Sequence, residues 1–206
     1  LAKKVFPHAN IVVDKFHIVQ LLTRELNKLR INEMKKLNTR SREYKILKRY
    51  WKIPLTRKRD LNSIYFYKNR HFKNMTSSID ILDYMLKEFP NLKEAYDFYQ
   101  NFLLSISNDD VAMLEDILNT RTDKIPMCFR KSIKSLKKLR KYVLNSLKYD
   151  YTNAMVEGKN NKIKVIKRVS YGYRSFRNFK ARIMLMERYK IQKGNIHSYQ
   201  FAMDAT

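Results

Sequence analysis

Residues 9–29 read "ANIVVDKFHIVQLLTRELNKL", and this stretch decides between a helical chain and one built on a sheet. Its first part, "ANIVVD" (9–14), is β-branched, apolar and ended by a charge. That is the composition of a short strand buried on both faces. From Phe16 the spacing changes. Phe16, Val19, Leu22, Leu26 and Leu29 recur every three or four positions, which predicts a long amphipathic helix. Working outward, helical spacing dominates: about 41–51, 77–89, 91–106, 109–119, 126–147, 153–168 and 175–190. Pro90 and Pro126 stand where a first helical turn tolerates proline. Asn108 and Ser175 suit N-caps. Gly172, in "SYGYRSF", is expected to end a helix with a positive φ. Residues 52–76 carry no clear pattern. With only three Gly and four Pro in 206 residues, turns are few. The expected class is therefore mostly α, with 9–14 as its principal strand.

Charge narrows the partners. The chain holds 44 Lys and Arg against 19 Asp and Glu, a net +25. This excess points to a polyanion, nucleic acid before membrane. It is unevenly spread. Residues 24–59 hold fourteen basic and three acidic residues, and 80–123 hold ten acidic and three basic. Residues 130–148 hold eight basic and no acidic residues, and 158–186 nine and none. No apolar run is long enough to span a bilayer, so no membrane role is expected, and a reducing cytoplasm suits the single cysteine, Cys128. One cysteine excludes an internal disulfide and a cysteine-based zinc cluster. Cys128 reads as a small buried hydrophobe and Trp51 as core.

Two carboxylates stand out. Asp14 ends the expected strand. Glu157 sits at the head of "NAMVEGKNNKIKVIKRVSYGYRSFRNF" (153–179), with no further carboxylate before Glu187. On a helix Asn153, Glu157, Asn160, Asn161 and Lys164 share one face, and Val156, Ile163 and Ile166 form an apolar stripe opposite. Carboxylates of this kind suit Mg²⁺, which takes a few of them together with water and phosphate oxygens. Lys159, Lys162, Lys164, Lys167 and Arg168 are candidate phosphate contacts, since counterion release rewards clustering; Arg174 is a further candidate in the following turn. Phe176 and Phe179 are read as core rather than as platforms for bases. His17 could stand beside a metal, but a packed or hydrogen-bonded histidine is the favoured reading.

Two blocks, "FPHANIVVDKFHIVQL" (6–21) and "NAMVEGKNNKIKVIKRVSYGYRSFRNFKARIML" (153–185), resemble the signature blocks of DDE transposases of the ISL-three insertion-sequence family. The tract between them, with "YWKIP" (50–54) and "EFPNLKEAYDFYQ" (88–100), is similar to that family's helical insert. The resemblance implies a ribonuclease-H-like core interrupted by a helical insertion. In those terms 1–22 and 151–206 belong to the core and 23–150 are the insertion. It implies Mg²⁺, with Mn²⁺ able to substitute, bound by three acidic residues for DNA cleavage and strand transfer. Asp14 matches the second of these and Glu157 the third, so both would be catalytic metal ligands. The first falls upstream of Leu1, so this chain is expected to be a truncated, inactive piece. The implied partners are transposon ends and target DNA, with a homo-oligomer expected for the full-length protein. The alternative is a non-catalytic, basic helical module that binds nucleic acid, with Glu157 structural.

Overall fold

The computed structural model describes residues 5, 7–149, 153–188, 190–191 and 201–202. These divide into two compact units, Leu1–Tyr151 and Thr152–Thr206. The described residues are mostly helical.

The first unit is organised around its longest helix, α1 (Lys15–Lys35), which packs against α2 (Arg42–Arg49), α4 (Pro90–Ser107) and α7 (Arg140–Lys148). Its buried stripe is Ile18, Leu22, Leu26 and Arg30, a strict four-residue spacing. The sequence reading caught Leu22 and Leu26 but began the stripe at Phe16, which is 60% exposed. A fully buried leucine is worth about 1.5–3 kcal/mol, so Leu22 and Leu26 anchor the helix. Arg30 ends the stripe because its guanidinium is satisfied: one nitrogen donates to the Leu47 carbonyl at 2.7 Å and Nε to Asn27 Oδ1 at 2.9 Å. Burial lowers its pKa.

Residues 9–14 are not a strand. They run as irregular chain towards α1. Their backbone groups are taken by α7 instead of by a sheet: Val13 N–H donates to the Tyr142 carbonyl at 3.2 Å, and Asn145 Nδ2 donates to the Ile11 carbonyl at 3.0 Å. An apolar β-branched run needs a neighbouring strand to become one, and here its hydrogen bonds go to a helix.

Helix α3 (Ser78–Glu88) is opened by a reciprocal capping box between Ser77 and Asp80. Pro90 is the first residue of α4, as its fixed φ allows. Asn108 proves to end α4 rather than cap the next helix. The chain turns through Asp109 at φ 52°, and Asp110 caps α5 (Val111–Asn119) by accepting from Met113 N–H at 2.9 Å. The helix expected over 126–147 is three pieces: a 3-10 turn at Met127–Phe129, α6 (Arg130–Lys138) and α7, with the break at Leu139. Residues 52–76 form two 3-10 turns and a small hairpin. Its strands β1 (Tyr67–Lys68) and β2 (Met75–Thr76) pair antiparallel, Tyr67 opposite Thr76. Trp51 is 42% exposed and is not core. Cys128 is half-buried against the core, and burial pushes its thiol up to about 11.

The second unit holds α8 (Ala154–Val169), α9 (Phe176–Arg188) and the antiparallel pair β3 (Lys190–Ile191) and β4 (Phe201–Ala202). Ser175 lies immediately before α9, and its carbonyl accepts from Phe179 N–H at 3.1 Å. The chain turns from α8 to α9 at Tyr171, φ 52°, and Gly172, φ 98°, the positive φ expected of that glycine. Among the described residues no helix is long and apolar enough to cross a membrane.

Candidate functional site

Asp14 is the N-cap of α1. Its backbone is extended, its Oδ1 accepts from Phe16 N–H at 2.8 Å, and its carbonyl accepts from His17 and Ile18 N–H. The half-buried carboxylate is thus fixed at the positive end of a long helix, where negative charge is favoured. A helix cap, not a strand end, gives it the rigidity that the sequence reading looked for. Neighbouring Lys15 pairs with Asp109 at 2.6 Å. His17 is exposed, its ring set edge-on to exposed Phe16 at 5.6 Å. The packed histidine expected there is absent.

Glu157 belongs to the second unit. It lies in the first turn of α8, fully within the helix, its N–H bonded to the Asn153 carbonyl at 2.8 Å, and its side chain is exposed. Both residues offer hard carboxylate oxygens, the donors Mg²⁺ prefers. Because Oδ1 of Asp14 serves the cap, gripping a cation through both oxygens would cost that cap. Oxygen donors of this kind fit a hard cation of the Mg²⁺ type. Among the described residues no group of three or more His, Cys, Asp or Glu stands together.

Lys159, Lys162, Lys164, Lys167, Arg168 and Arg174 are all exposed, but they do not form one face. Helical spacing puts Glu157, Asn161, Lys164 and Arg168 on one side. Lys159, Lys162 and Lys167 flank the opposite side, where Ile166 is buried and Ile163 half-buried. Lys162 Nζ donates to the Met186 carbonyl of α9 at 3.0 Å, so that flank is turned to α9. Val156, placed on the apolar stripe, is 56% exposed. In the turn that carries Arg174, Tyr173 hydrogen-bonds Ser170 at 2.7 Å and packs on Phe179 at 4.9 Å. Phe176, expected in the core, is 77% exposed.

A DDE transposase family model of the ISL-three type, described as "Transposase", matches residues 1–183, which include Asp14 and Glu157. The chain belongs to that transposase family. A Lactococcus lactis subsp. lactis protein named "ATP-dependent protease" is 38% identical over 121 residues. The aligned stretch is 59% of the transposase chain but only 38% of that relative's length. No solved structure matches. For the transposase chain, sequence reading singled out the two carboxylates and the charged α8 as candidates. It did not separate the two sides of α8, because which lysines meet α9 depends on how the two helices pack.

Proposed function

We propose that this chain supplies two of the three metal-binding carboxylates of a DDE transposase that cuts and joins DNA at the ends of an insertion sequence. The supporting observation is one family match that runs continuously through both Asp14 and Glu157. In this reading 1–22 and 151–206 belong to a ribonuclease-H-like core and 23–150 are its helical insertion. When bound, Mg²⁺, or Mn²⁺ in its place, supplies Lewis-acid stabilisation of the attacking and leaving oxygens of a phosphodiester. The chain's own part would be to hold the metal through its carboxylates and the DNA through its cations. The cap at Asp14 fixes one carboxylate, the first turn of α8 presents the other, and Lys164 and Arg168 beside Glu157 meet the phosphates that flank the cut. Transposon ends and target are the DNA partners, the full-length protein works as a homo-oligomer, and the cytoplasm is its compartment.

The cap also gives Asp14 a purely structural reason to be there. That favours, as a second reading, a DNA-binding module without chemistry. Asp14→Asn and Glu157→Gln in the full-length protein separate the two. Each should abolish Mg²⁺-dependent cleavage of DNA carrying the element's ends while leaving DNA affinity within about twofold, since neither change removes a cation from the phosphates. Cleavage that survives Glu157→Gln would overturn the catalytic reading.

A further inference from the structure

Helix α2 and the turn of the β1–β2 hairpin enclose an open cleft of about 600 Å³ lined by Lys45, Lys48, Arg49, Arg70 and His71. No carboxylate lines it. Among the described residues none of the five forms an ion pair with one. Lys45, Lys48 and Arg49 follow a three- and four-residue spacing, so α2 presents them on one face. Arg70 and His71 come from the opposite wall. Four like charges and an imidazole around one cavity repel one another, which disfavours the compact state unless something anionic enters.

Hydrogen bonds and ring contacts hold the walls in place despite that repulsion. Tyr50 Oη donates to Asn69 Oδ1 at 2.8 Å, and Asn69 Nδ2 donates to Thr76 across the hairpin. Arg42 Nε donates to the His71 carbonyl at 2.7 Å, with its guanidinium over the rings of Phe72 (5.1 Å) and Tyr84 (4.8 Å). The His71 ring is set edge-on to Tyr50 at 6.5 Å. The hairpin is therefore bolted to α2 by buried or stacked groups, while the exposed cations are left facing the opening. The irregular chain just before β1 leaves Tyr65 and Phe66 76% and 53% exposed.

The chemistry of the walls narrows the anion. A single small anion is best held by convergent backbone N–H groups, as at a helix N-terminus or a nest. Here only long, separately rooted side chains line a wide opening, which suits several phosphates along a strand. We propose that this cleft binds the phosphate backbone of duplex DNA, in addition to the contacts made by α8. This rests on the reading that the chain acts on DNA, and the two surfaces can fail separately.

The test uses residues 1–206 and a fluorescent 20-base-pair duplex, with binding followed by anisotropy from about 50 to 200 mM salt, the range in which counterion release is steep. One variant carries Lys45→Ala, Lys48→Ala and Arg70→Ala, all exposed positions; the other carries Lys164→Ala and Arg168→Ala. Circular dichroism confirms that each is folded. The cleft variant should lose about tenfold or more in affinity, and its slope of log affinity against log salt should flatten by about 2–3, near 0.9 for each lost phosphate contact. Wild-type binding by the cleft variant overturns the cleft. If the helix variant is then weakened, the α8 surface stands; if it too binds like wild type, both surfaces fall.

A second measurement reads the site directly. Burial, then Arg49, Arg70, Lys45 and Arg42, hold the His71 pKa below its ordinary value. The charges facing the ring are thus all cationic. The duplex should raise the His71 pKa measured by NMR, and inorganic phosphate at the same phosphate concentration should raise it far less. An equal rise with inorganic phosphate would mean a small-anion site, and an equal rise with polyglutamate an acidic-protein site. Either result overturns the proposal.

Discussion

At Asp14 one oxygen of the carboxylate already has a donor, the Phe16 amide, so the capping role and the proposed metal-binding role fall on a single side chain. Substitutions can divide them. Asparagine caps about as well as aspartate, whereas alanine forfeits the cap at a cost of about 1 kcal/mol. Asp14→Asn should therefore leave the urea midpoint of residues 1–206 nearly unchanged, and Asp14→Ala should lower stability by about that amount. Equal stability for wild type and Asp14→Ala would mean that the cap contributes nothing, and that the carboxylate is retained for another reason. Tyr96 poses the reverse case. Its hydroxyl is buried with no hydrogen-bond partner, and burial pushes it up to about 12. An unpaired buried hydroxyl costs stability, so Tyr96→Phe should be neutral or stabilising by up to about 1 kcal/mol. The titration has a definite sign. Cys128 moves from 9.0 to about 11 and Tyr96 from 10.0 to about 12 on folding. Between those values the unfolded chain has released protons that the native chain still holds, so stability present at pH 8 falls as pH rises through about 9 to 12. Urea midpoints across that range should decline, and less steeply for Tyr96→Phe.

Among the helices, what the sequence made legible was what a single helix decides for itself. Leu22 and Leu26 on the buried stripe of α1, the proline that opens α4 and the glycine in the turn after α8 all follow from local geometry. What it concealed depends on neighbours. "ANIVVD" has the composition of a strand, but Asn145 and the Tyr142 carbonyl of α7 take its hydrogen bonds. The break at Leu139 falls in a run with no proline or glycine to mark it, between Leu136 and Val143, which are both buried. At the candidate site, Asp14 and Glu157 were legible as isolated carboxylates at special positions. The cleft was not, because Arg70 and His71 lie in a segment without periodicity and reach Lys45 only through the hairpin. Gly172 gives the element scale its prediction. A Cβ there would meet nothing within 4 Å, so the only obstacle is φ at 98°. Gly172→Ala should cost about 1–2 kcal/mol through backbone strain alone. Amide exchange in α8 and α9 should rise while that in α1 stays as it was. Protection unchanged in both helices would mean that the turn relaxes to negative φ at no cost.

Over the whole molecule, a net +25 on 206 residues makes ionic strength act in two opposite directions. The folded chain gathers its cations, in the cleft and along α8, more closely than the unfolded chain does. Among the described residues the ion pairs are solvent-exposed in the main and contribute little; Lys28–Glu25 and Lys36–Glu33, for example, are local pairs on one helix. Repulsion therefore dominates, and salt screens it: the Debye length falls from about 10 Å at 0.1 M to about 3 Å at 1 M. Raising sodium chloride should increase the melting temperature of residues 1–206. Chloride is the anion to use, because sulfate would also strengthen apolar burial and confuse the cause. DNA binding must respond in the opposite sense, since each phosphate neutralised releases counterions whose entropy is lost in concentrated salt. Thermal melts and duplex titrations over one salt series should thus show stability rising as affinity falls. The cleft variant lacks three of the crowded cations, so both responses should be weaker in it than in the wild type. A melting temperature that falls with salt would mean that attractive pairs outweigh repulsion in the folded chain. The cation clusters would then need no polyanion to offset them.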